Sequence, residues 1–142
     1  MKSLRWWFWI WVLMSILVSA TVAYSAAYIY RQRVTASVTL TPGVPGIDVQ
    51  PRTWTYGEVA IGEWSAPQVV TVSNLTTQPL TTVYLQAVSA TPTPGPGLYI
   101  LSAPTLPIPV GGSAQMSIVL WSDPTTPAGT YSSVTADVVG RP

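Results

Sequence analysis

Five carboxylates, Asp48, Glu58, Glu63, Asp123 and Asp137, are the groups in this 142-residue chain best suited to acid–base work. There is no His, no Cys and a single Lys, Lys2. That composition removes Ser-His-Asp and Cys-His nucleophile systems, thiol redox chemistry and the usual zinc sites. Lys2 lies outside any Gly-rich loop, so no Walker-type phosphate site is present. A glycosidase pair needs two carboxylates facing each other across a cleft at about 5–10 Å. The spacing of Glu58 and Glu63 predicts opposite sides of a turn. Asp123 falls in a turn signal and Asp137 in a strand signal. A calcium site needs about six to eight oxygen ligands, usually from clustered Asp, and none cluster here. The expectation is five solvated carboxylates, no catalytic residue, no metal, no cofactor and no enzyme.

The scarcity of charge is general. Charged residues make up 8% of the chain, against about 25% in ordinary soluble proteins. They are also unevenly placed. Residues 1–33 carry Lys2, Arg5, Arg31 and Arg33 and no acid, whereas residues 34–142 sum to −3. The net charge of +1 gives no footprint for nucleic acid. The division predicts two parts, an N-terminal segment of residues 1–33 and a domain of residues 34–142.

The first part reads as a membrane helix. No charge occurs from Trp6 to Tyr30. As a helix that run spans about 37 Å, enough for a hydrocarbon core of roughly 30 Å. Trp6, Trp7, Trp9 and Trp11 crowd one end, and Tyr24, Tyr28 and Tyr30 the other. Such rings prefer the membrane interface, where the ring is half dry and its polar atom is wet. Small residues at Val18-Ser19-Ala20 and Ser25-Ala26-Ala27 also suit signal peptidase. The long run with aromatics at both ends favours an uncleaved anchor. Ser15, Ser19, Ala23 and Ala27 recur every four residues and form a face where a second helix can approach closely. Flanking positive charges are nearly tied. The only Asn, Asn74, lies in the sequon Asn74-Leu75-Thr76, which points to a glycosylated, extracytoplasmic C-terminal domain. The other reading of Asn74 is a turn residue.

The second part reads as strands. Val34, Ala36, Val38 and Leu40 alternate with Thr35, Ser37 and Thr39. Further β-branched and aromatic runs fall near 47–50, 54–60, 67–74, 81–90, 98–102, 113–121 and 130–139, separated by Pro and Gly. This pattern predicts an all-β domain, an Ig-like two-sheet antiparallel sandwich of about seven strands behind one transmembrane helix. Val34–Leu40 is its first strand or, alternatively, a strand lent to a neighbouring copy. Trp54 and Tyr56 share a face and are expected to plug the core. Trp64, near Gly62 in a turn, is the candidate exposed ring. Tyr131 suits a tyrosine corner.

Several motifs carry a family resemblance. Tyr56-Gly57-Glu58-Val59, Gly62, Val69-Val70-Thr71-Val72-Ser73-Asn74 and Pro79-Leu80 follow in order. Pro109-Val110-Gly111-Gly112-Ser113 and Pro127-Ala128-Gly129-Thr130-Tyr131 come after them. The series resembles the choice-of-anchor and Hydin-type Ig-like modules, relatives of the major sperm protein fold. The resemblance implies an adaptor, adhesion or envelope part. A second similarity is to envelope filaments whose β-sandwich subunits exchange a strand. Three functions follow as expectations. One is a membrane-anchored structural or interaction protein whose partners are the lipid bilayer, other membrane or envelope proteins and, by self-association, its own copies. The others are a secreted filament subunit and an adhesive or carbohydrate-binding module.

Overall fold

The computed structural model describes residues 2–142; the side chains of residues 2–4 and 24–31 lie outside the described set. It forms two compact units, Met1–Gln32 and Arg33–Pro142. The first is one helix, α1 (Lys2–Arg31). No Gly or Pro interrupts it, and Thr21 returns its hydroxyl to the carbonyls of Leu17 and Val18. The stretch Arg5–Ala23 is long and apolar enough to cross a membrane, and none of it is buried against protein. Trp6, Trp7, Trp9 and Trp11 are all exposed. Ser15, Ser19 and Ala23 are exposed as well. The side chains of Tyr24, Ala27, Tyr28 and Tyr30 fall outside the described residues.

The second unit has eight strands: β1 (Arg33–Pro42), β2 (Ile47–Gln50), β3 (Thr53–Ala60), β4 (Gln68–Asn74), β5 (Thr82–Thr91), β6 (Gly97–Ser102), β7 (Ser113–Trp121) and β8 (Gly129–Arg141). They form two four-stranded sheets, β3-β1-β8-β5 and β2-β4-β7-β6. Every connection crosses from one sheet to the other except β6 to β7. Alternation decides which side chains turn inward. Val34, Ala36, Val38 and Leu40 of β1 join Tyr56, Val134, Ala136 and Val138 from the first sheet. Val49, Val70, Val72, Met116, Ile118 and Leu120 come from the second, and all belong to one hydrophobic cluster. Each fully buried Val or Leu is worth about 1.5–3 kcal/mol relative to exposure.

Two expectations are corrected. There are eight strands rather than about seven, because Val34–Leu40 is a full member of its own sheet in addition to the seven later runs. The sandwich is also not wholly antiparallel. β1 pairs antiparallel with β3 but parallel with β8, from Val34 opposite Gly129 to Pro42 opposite Val138. A parallel pair needs a long crossover, and here all of β2–β7 lies between the partners in sequence.

Buried tyrosines tie strand to strand and strand to loop. The Tyr56 hydroxyl donates to the Ile118 carbonyl at 2.6 Å, and its ring meets Trp54 edge-on at 5.9 Å. The Tyr131 hydroxyl donates to the carbonyls of Pro127, at 2.8 Å, and Pro94, at 3.1 Å. Burial pushes both phenols above the ordinary tyrosine range. The folded state therefore holds these protons more tightly than the unfolded chain, and stability falls once the unfolded phenols ionise, above about pH 10. At the acid end, the Arg52 guanidinium beside Asp48 lowers its pKa, as the Thr125 hydroxyl and amide do for Asp123. That contribution is lost as pH falls through the carboxylate range. With no His and no Cys, thermal melts of the sandwich should be flat from about pH 5 to 9 and fall above about pH 10. A steep slope near neutrality would contradict this.

Candidate functional site

The outer faces of the two sheets differ in chemistry. On β3-β1-β8-β5 the outward side chains are mostly hydroxyls. Thr35 bonds Thr130, Ser89 bonds Thr135, and the Thr41 hydroxyl donates to Asp137. On β2-β4-β7-β6 the outward side chains near one end are aromatic. Trp121 and Val119 of β7 point outward two residues apart, and Tyr99 of β6 pairs with Val119. Trp64 bridges Trp121 from the other side of β7.

Backbone bonds fix this bridge. Gly62 N–H donates to the Ser122 carbonyl at 2.6 Å, and Ser65 N–H to the Leu120 carbonyl at 2.9 Å. Ser65 Oγ accepts the Leu120 N–H at 2.8 Å. The turn leading in needs Gly62, whose φ of +83° is unfavourable for other residues. The Trp64 ring centroid then lies 4.6 Å from Trp121, tilted, and 5.5 Å from Tyr99, edge-on. Val119 beneath them is 2% exposed although it stands outside the inter-sheet core. Trp64 itself is 54% exposed, Tyr99 48% and Leu101 64%.

Two recesses flank this ring and share Trp64 and Ser65. One, of about 300 Å³, is lined by Tyr99, Ile100, Leu101 and Val119. The other, of about 390 Å³, is lined by Arg33, Tyr56, Glu58, Glu63 and neighbouring backbone. Arg33 pairs with Glu58 at 2.8 Å. Glu58 lies before the turn at 61–62 and Glu63 after it, as expected, and the two line the same recess. The chain from Trp64 folds back onto β7, and that brings the end of β3 and the following turn round one hollow. Among the described residues no group of His, Cys, Asp or Glu is arranged to hold a metal ion.

Asn74 is the other polar centre, and its geometry corrects the glycosylation expectation. The residue is 0% exposed. Its Nδ2 donates to the carbonyls of Gln78, Ile108 and Pro109 at 2.9–3.2 Å. Its Oδ1 accepts the amide and hydroxyl of Thr76 at 2.9 and 2.6 Å. The nitrogen that would carry a glycan is committed inside the protein, so in this fold Asn74 is a turn residue that clamps the 75–81 loop to the 103–112 connection. Comparison with protein-family models, with curated proteins and with solved structures gives no match.

Sequence reasoning singled out Trp64 but not its association with Trp121 and Tyr99. The alternation in 113–121 places Trp121 and Val119 on one face. It does not say which neighbouring strand brings a second ring opposite them.

Proposed function

We propose that the chain is a non-enzymatic, membrane-anchored interaction protein whose β-sandwich stands outside the cytoplasm. The observation that carries this reading is the separation of roles between the two units. The helix presents apolar side chains with no protein cover, which only lipid or another apolar surface can satisfy. The sandwich closes its own core and presents an exposed aromatic surface on one sheet.

An Ig-like assignment for the sandwich is part of the proposal. The spatial order β2-β4-β7-β6 follows the A-B-E-D order of an Ig sheet, and β5 next to β8 matches C and F. The departure is the closing position beside β8. An Ig domain fills it with a last strand G, whereas here β1 fills it and runs parallel. That departure also favours a second reading, a filament subunit in which β1 of one copy closes the sheet of the next.

Fractionation tests the anchor. The full chain should remain in the pellet when membranes are washed with alkaline carbonate. A charge at the centre of a membrane helix costs about 2.5–3.5 kcal/mol. The double variant Leu13→Arg/Leu17→Arg should therefore shift most of the protein to the soluble fraction. Intact mass should show residues 1–27 still attached. A mature chain starting at Thr21 or Tyr28 would replace the anchor with an export signal.

A further inference from the structure

We infer that the cleft on either side of Trp64 binds a neutral oligosaccharide. This rests on the reading of the sandwich as an interaction domain and gives that domain its ligand class. The two recesses share Trp64 and Ser65 and differ in chemistry. One wall is aromatic and aliphatic: Trp64, Tyr99 and Leu101 over Val119. The other offers Glu63, the Arg33–Glu58 pair and the end of β3. A pyranose ring has the same two-sided character. Its axial C–H bonds form a weakly positive apolar face that suits the negative face of an indole or phenol. Its equatorial hydroxyls form a rim that donates to carboxylates and accepts from N–H groups. Two linked sugars can lie one on each side of the Trp64 ridge.

Other ligand classes fit worse. A quaternary ammonium needs rings standing apart to surround it, but Trp64 touches Trp121 and Tyr99 at 4.6 and 5.5 Å between centroids. An anion needs uncompensated positive charge. Among the described residues Arg33 is the single cation lining the cleft; it is engaged by Glu58, and Glu63 adds a further negative charge. An apolar protein surface seated here would strip water from Glu58, Arg33 and Glu63, which costs more than the aromatic contact returns. A neutral polyol replaces that water with its own hydroxyls. Glu63 makes no side-chain hydrogen bond or ion pair among the described residues, so its oxygens remain available as acceptors.

Calorimetric titration of the full chain in a sugar-free detergent tests the inference. Three probes are used: the tetramers of β-1,4-linked glucose, β-1,4-linked N-acetylglucosamine and α-1,4-linked glucose. At least one should bind with Kd of about 1 mM or tighter. Trp64→Ala should weaken it at least about tenfold, the expected loss for a central aromatic contact. Glu63→Gln, which removes one charge and no packing, should weaken it severalfold while the melting temperature stays unchanged. It keeps the test valid should Trp64→Ala disturb the fold. No binding of any of the three, or binding that both variants leave unchanged, overturns the inference. If the chain still pellets with membranes in that event, the anchor reading stands and the ligand class alone falls.

Discussion

Asn74→Ala is expected to lower the stability of the sandwich by about 3 kcal/mol, among the largest effects available to a single side chain in this domain. The reason is the number of hydrogen bonds lost with one buried side chain. The carbonyls of Gln78, Ile108 and Pro109 and the amide of Thr76 all bond the fully buried Asn74 side chain; the three carbonyls keep Thr76, Leu80 and Gly112 as second donors, whereas the Thr76 amide loses its acceptor. Each lost hydrogen bond costs about 0.5–1.5 kcal/mol and the unpaired Thr76 amide about 1–3 kcal/mol, reduced where the loop relaxes to admit water. The backbone of Asn74 adds to the clamp, accepting from Gly111 and donating to Gly112, but those bonds survive the substitution. A loss of 3 kcal/mol corresponds to a fall in melting temperature of roughly 10–20 °C for a domain of this size. Asn74→Asp should be as damaging. It keeps the acceptor but turns a negative oxygen toward three carbonyls. Thr76→Val, which removes a hydroxyl shared between Asn74 and Gln78, should cost about 1 kcal/mol. Both Asn74→Ala and Thr76→Val abolish the sequon. If the residue served only to carry a glycan, both would leave the unglycosylated protein equally stable. Equal melting temperatures would therefore refute the clamp.

The second large effect concerns β1. Thr35 and Thr130 are register partners across the parallel β1–β8 pair, with their hydroxyl oxygens 3.0 Å apart. The chain contains no cysteine, so Thr35→Cys/Thr130→Cys introduces one possible bridge and no competing thiol. On oxidation it should form within one chain and close a loop of nearly a hundred residues. Loop-closure entropy alone then predicts stabilisation by about 4 kcal/mol, less any strain. Non-reducing gels of the full chain should show a compact monomer. A ladder of covalent multimers would mean that β1 of one copy sits beside β8 of another. That result would select the filament reading over the self-contained anchored domain. The single variants control for random oxidation, because each leaves one thiol and can give no species larger than a dimer.

Much of the strand content was legible because each strand carries a local pattern. Val34, Ala36, Val38 and Leu40 alternate with polar residues over a run that is also bounded by Pro42. Gly43, Pro45, Gly46, Pro51, Gly62, Pro67 and the 91–97 Pro-Gly loop mark the breaks. The expected runs and the observed β1–β8 therefore coincide to within a few residues. The role of Tyr131 as a corner was similarly local, since its hydroxyl reaches back four residues to Pro127. The apolar helix was legible from length and charge alone. Partner strands were not. Nothing in Val34–Leu40 says that it runs parallel to a strand ending at Arg141. Nothing in Tyr56–Ser65 says that Glu58 and Glu63 face one hollow.

Local sequence pattern sets an apolar helix and a β domain, and which side chains of Val34–Leu40 turn inward. Those properties depend on residues within a few positions of one another: hydrophobic period, chain breakers and the absence of charge. Tertiary structure alone decided that β1 closes the sheet beside β8 and that Asn74 is a buried clamp rather than an exposed acceptor. It also decided that Trp64, Tyr99 and Trp121 form one surface beside the Arg33–Glu58 pair. Each of these joins residues from separate segments, and several join opposite ends of the domain. They are fixed by register and by which of several chemically similar Val- and Thr-rich strands lie side by side. In a chain whose strands use the same few residue types and little charge, pairing is set by the combined packing of the whole core, which no single segment encodes.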